Sequence, residues 1–97
     1  MWRHGDVIIQ AADAIPQGAR RSQRTVLASG EVTGHSHRVE APEHAEMWEY
    51  QGERFLKLLA TTRIIHEEHQ PITLGPGIYR VWQQREYTPE AIRRVID

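Results

Sequence analysis

The chain contains no cysteine, which excludes both a disulfide framework and any thiolate-bound metal. Lysine is almost absent: of twelve Lys and Arg side chains only Lys57 is a lysine. Neither sign of charge prevails. The net charge of −1 sets up no global field to attract nucleic acid or anionic lipid. Long apolar runs are missing too, so no segment reads as a membrane span, and Met1-Trp2-Arg3-His4-Gly5-Asp6 lacks the apolar stretch of a signal peptide. A cytoplasmic location is the resulting expectation. No tight group of aspartates is available to hold Mg²⁺ for a nuclease.

What is present fits one folded domain spanning residues 1–97. A hydrophobic fraction of 39% with three tryptophans supplies one modest core and argues against disorder. Short β-like segments alternate with Gly/Pro turns. Asp6 to Gln10 reads as a buried strand, Thr25 to Ala28 as another, and Ala19 to Arg24 as a polar, arginine-rich loop. Glu46 to Tyr50 and Glu53 to Leu58 alternate on either side of Gln51-Gly52, the pattern of a hairpin, with the core phase left open by adjacent Phe55 and Leu56. Thr61 to Ile65, Pro71 to Leu74 and Ile78 to Tyr87 extend the series. Only the tail invites a helix, with Thr88 as N-cap and Pro89 at its first position. The expected fold is mainly β, a small barrel or sandwich with a short C-terminal helix. Open strand edges and exposed Trp and Tyr on so small a domain suggest a homo-oligomer.

Chemistry concentrates in two histidine pairs, His35 and His37 in Gly34-His35-Ser36-His37, and His66 and His69 in His66-Glu67-Glu68-His69. Residues two apart on a strand share a face, with Cα atoms about 6.6 Å apart. Residues three apart share the face of a helical turn. Either spacing lets two imidazoles reach one ion, and the hairpin between the pairs can fold back to join them. The expected site is therefore a divalent metal, zinc first, held by His35, His37, His66 and His69. His4 and His44 need no role in it. Glu40 and Glu67 are available as oxygen ligand or supporting partner, and Glu67 is the candidate general base.

Three functions are compatible with these residues. The favoured one is a binding or structural module whose metal pins two loops. The second is a metal-dependent, hydrolase-like enzyme in which Glu67 moves the proton. The third is a nucleic-acid-associated accessory protein using Arg20, Arg21 and Arg24, which the near-neutral charge disfavours. Whether a small molecule or another protein is the ligand is left open.

Known metal motifs fit in part. His66-Glu67-Glu68-His69 resembles the zincin His-Glu-x-x-His, but its histidines are three apart instead of four. His35-Ser36-His37 resembles the His-Ser-His of the JAMM metallopeptidases, whose later Ser and Asp are replaced by Ala45 and Trp48. Gly30, His35, His37, Glu40 and Gly52 follow the order of the first cupin motif, although Gly75-Pro76-Gly77 lacks the histidine that the second would require. The whole chain is similar to a group of small uncharacterised bacterial and phage proteins, through Arg3-His4-Gly5-Asp6-Val7, Gly30 to His37, His66 to Ile72, and Tyr79-Arg80-Val81 with Gln84 to Tyr87. That likeness implies a single domain and no particular activity.

Overall fold

The fold is taken from a computed structural model, which describes residues 1–29 and 36–83. Their strands are β1 (Trp2–His4), β2 (Val7–Ala12), β3 (Arg20–Ser22), β4 (Val26–Ser29), β5 (Ser36–Val39), β6 (Ala45–Tyr50), β7 (Glu53–Leu58), β8 (Thr62–Ile65), β9 (Ile72–Leu74) and β10 (Gly77–Gln83), with a 3-10 turn at Pro42–His44. They form two antiparallel sheets, ordered β1-β2-β10-β7-β6-β3 and β4-β5-β8-β9. The mainly-β expectation is met. The sheets do not close into a barrel among the described residues. The expected helix from Thr88 lies outside them, as do residues 84–87 of the last strand and Glu31 to Thr33.

The hairpin lies where the alternation put it. Gln51 (φ +48°) and Gly52 (φ +82°) both take positive φ, which matches the backbone of a two-residue turn to the right-handed twist of its strands. The phase question between Phe55 and Leu56 has a simple answer, since both are buried, on opposite faces of the sheet. Leu56 and Leu58 enter the shared core with Val7, Ile9, Met47, Tyr79 and Val81 from the first sheet and Leu27, Val39, Ile64 and Leu74 from the second. Phe55 sits on the other side, paired with Trp48 and Arg80. Arg54 points into the inter-sheet space, where its guanidinium donates to the Val26 carbonyl at 2.6 Å and to that of Leu27.

Two strands depart from the expectations. Arg20–Ser22, read as loop, is the edge strand β3, with Arg20, Arg21 and Ser22 opposite Glu49, Trp48 and Met47. An edge strand is held by its backbone ladder and needs no apolar alternation. Arg21 also lies 6.0 Å from the Trp48 ring centre and 3.9 Å from the Glu46 carboxylate. At the other end of the same sheet, Trp2–His4 folds back on β2 through Gly5-Asp6, pairing His4 with Val7. Trp2 packs edge-on against Tyr79, with ring centres 5.6 Å apart. His4, two residues on, therefore points inward as well. Among the described residues no helix is long and apolar enough to cross a membrane.

Candidate metal centre

Four imidazoles meet where β1, β5 and the β8–β9 connection converge. β5 and β8 are neighbours, with Arg38 opposite Ile65 and Val39 opposite Ile64, so the next positions along that ladder are His37 and His66. His69 follows in the connection to β9. His37, His66 and His69 each offer a ring nitrogen within 4.8 Å of the other two. His4 joins them from the first sheet, its Nδ1 2.9 Å from His37 Nδ1. Ring centres across the four lie 4.3–6.3 Å apart, closest for His37–His66 and widest for His4–His66.

Of the expected ligands, His37, His66 and His69 are together and His35 lies outside the described residues. His44 sits in the 3-10 turn. His4, expected to be a bystander, is buried in the cluster with 2% of its surface exposed. The signal that could have located it is the Gly5-Asp6 pair, which reads as a two-residue hairpin loop with His4 at its corner. Gly5 also forms one wall of the cluster. A Cβ there would fall 2.7 Å from His69 Nε2 and 2.9 Å from His37 Cε1.

The surrounding carboxylates divide by role. Asp6 Oδ1 lies 3.4 Å from His37 Nε2, and its other oxygen accepts from the Gln83 amide. Glu67 accepts from the Ser36 N–H at 3.2 Å and from Arg38 at 2.8 Å. Its own backbone N–H, Ser36 and Arg38 together hold its carboxyl down to about 2. So acidic a carboxylate is a poor proton acceptor near neutrality. Glu67 instead ties the histidine-bearing connection to β5. Glu40 turns away to Arg63, whose Nε donates to it at 2.8 Å. The glutamate of the cupin order is thus committed to an ion pair.

Electrostatics keep the buried rings neutral. Burial, then the nearby His66 and His4, lowers His37 from 6.5 to about 4, with Asp6 opposing. Burial also lowers His4, against a raising influence of the Gln70 backbone; no acceptor among the described residues reaches bonding geometry at His4 Nε2. Neutral imidazole is the form that ligates a metal. His66 Nδ1 accepts from the Glu68 N–H at 3.0 Å, so ligation through Nε2 requires the ring to exchange tautomers and release that exposed amide to water.

These shifts predict how the chelator-treated protein responds to acid. The unfolded chain takes up a proton at His37 near 6.5, whereas the folded protein resists until about 4. The contribution of His37 to stability is therefore full above pH 6.5, falls between 6.5 and 4, and is gone below. The full His37 effect is roughly 3 kcal/mol. Glu67 acts in a lower window, adding a loss as pH falls from 4.5 toward 2. Urea denaturation at pH 7.5, 6.0 and 5.0 checks the upper window, and His37→Gln should flatten it. A wild-type midpoint that does not move across those pH values would contradict burial of a neutral ring.

Residues 3–84 match the family model described as a domain of unknown function, DUF8820. The chain belongs to this family. The match includes all four clustered histidines, Gly5 and Asp6, and stops short of the tail. No curated protein and no solved structure is matched.

Proposed function

We propose that this DUF8820 domain binds one divalent transition metal, zinc first, and uses it as a non-catalytic pin that fastens its strand ends together. The observation that carries this reading is the convergence of His37, His66 and His69 within 4.8 Å, from a strand and a connection that no local turn brings together. Nitrogen-only donors suit zinc, copper, nickel or cobalt and suit magnesium or calcium poorly. The neutrality of His37 near pH 7 supports ligation, because little proton release is then required. A pin is favoured over a hydrolase because Glu67, the carboxylate that the sequence offers as a base, is engaged by Ser36 and Arg38.

Elemental analysis of protein purified without a histidine tag is the test. One equivalent of metal per chain is expected, removable by chelator and restored by zinc. The His66→Ala, His69→Ala double variant should hold none. Wild-type protein that stays below a tenth of an equivalent even after dialysis against zinc would end the proposal.

A further inference from the structure

We propose that His4 is the fourth ligand of this centre, closing it as a four-imidazole site for a divalent transition ion, and that Asp6 is a positioning residue that orients His37 within it. His4's role presupposes the metal site proposed above and adds to it a ligand from the N-terminal strand.

The ring positions are the first ground. Four imidazoles bound tetrahedrally to zinc, with Zn–N about 2.0–2.1 Å, place their ring centres roughly 5 Å apart. The observed separations, 4.3–6.3 Å, straddle that value. Only the His4–His66 pair, at 6.3 Å, is clearly wide. His66 is the more exposed of the two, and a shift of roughly 1 Å brings it to the tetrahedral spacing.

The second ground is the pair of facing nitrogens. His4 Nδ1 and His37 Nδ1 are 2.9 Å apart, and two lone pairs meet at that distance only with a proton or a cation between them. If a proton sits there, one arrangement has His4 donating through Nδ1, and its buried Nε2 lone pair then has no donor. A cation in the same place lets the His4 proton move to Nε2, on the side influenced by the Gln70 backbone. With that proton on Nε2, the Nδ1 lone pairs of His4 and His37 both face the ion, an arrangement that a shared proton cannot provide.

Asp6 selects between the two nitrogens of His37. A carboxylate 3.4 Å from Nε2 keeps the proton on that atom, so the lone pair on Nδ1 faces the cluster. Gln83 holds the carboxylate from β10. Carboxylate–imidazole–metal chains of this kind fix the tautomer and raise the basicity of the ligand. With four protein nitrogens in place no coordination position remains open, which makes the site structural.

Cobalt(II) binding to the full chain tests both residues. Wild-type protein should show the intense visible bands of a tetrahedral ion. In His4→Gln, cobalt should bind at least tenfold more weakly, with the bands reduced to those of a water-bearing, higher-coordinate ion. Asp6→Asn should keep tetrahedral bands while losing about tenfold to a hundredfold in affinity, with the melting of chelator-treated protein unchanged. Should His4→Gln fail to fold, NMR of zinc-loaded wild type carrying ¹⁵N-labelled histidine counts the metallated rings directly. Four rings, with His4 and His37 bound through Nδ1, support the assignment. A wild-type cobalt spectrum and affinity in His4→Gln, or an unmetallated His4 in the zinc-loaded protein, overturns it while leaving the metal site standing. Unchanged affinity in Asp6→Asn removes the role of Asp6. If the wild type binds neither cobalt nor zinc, the four-ligand centre and the metal site fall together.

Discussion

Zinc at a thousandfold excess over its dissociation constant is expected to raise the melting temperature of the chelator-treated protein by about 15–30 °C. A ligand that binds only the folded state stabilises it by about 4 kcal/mol at that excess. A domain of 97 residues gains about 4–8 °C for each kcal/mol. The effect is large because the unfolding entropy that divides this free energy is small for so short a chain. Chelator should reverse it, and magnesium or calcium should not reproduce it. His37→Ala should abolish the zinc response, and His44→Ala, altered in the 3-10 turn, should retain it. Thermal melts followed by circular dichroism give the comparison directly. Identical curves with millimolar zinc and with chelator would mean that no ion pins this fold.

Replacing Gly5 with alanine should damage the centre more than any comparable surface change. Gly5 has φ +65°, at the first central position of the Gly5-Asp6 hairpin loop, where a side chain is strained by on the order of 1–3 kcal/mol. The added Cβ would also sit 2.7 Å from His69 Nε2 and 2.9 Å from His37 Cε1. His37 is buried and cannot retreat without disturbing His4. Gly5→Ala should therefore lower both melting temperature and zinc affinity, the latter by tenfold or more. Gly52→Ala separates the two causes. Gly52 has φ +82° but nothing within 4 Å of its added Cβ, so it should lose stability and keep full zinc affinity. Equal zinc affinity in the two variants would show that the wall formed by Gly5 is irrelevant to the ligands.

How much of this was legible depends on whether the signal is local. The β6–β7 hairpin is local in every respect, since its alternation and its Gln51-Gly52 turn lie within one stretch. The histidine pairs are local too, because the spacing between partners is itself the clue. The approach of His37 to His66 rests on β5 lying beside β8, which the hairpin between them suggested without fixing a register. His4 was missed for a different reason. A lone histidine carries no spacing, and its inward orientation follows only once Trp2 is known to pack on Tyr79. Its meeting with His37 is a contact between two sheets, settled by packing of the shared core. β3 escaped because an exposed edge strand made of Arg20, Arg21 and Ser22 has the composition of a loop. Glu67 looked like a base in isolation, and only the arrival of Ser36 and Arg38 gives it a partner for each carboxylate oxygen.

The pairing of β2 with β10 bears on the order in which the molecule comes together. That ladder joins Val7–Ala12 to Ile78–Gln83, nearly the full length of the described chain. The β1–β2 and β6–β7 hairpins can form early because their loops are short, whereas this ladder must first overcome the closure entropy of a long loop. Asp6 and Gln83 touch only after it has formed. The Asp6–Gln83 contact is thus expected late in folding, and a metal in the proposed site would act as a latch on a finished structure instead of a seed for it. Interactions made after the transition state slow unfolding and leave the folding rate nearly unchanged. On the proposed reading, zinc is expected to lengthen the lifetime of the native state more than it speeds its formation.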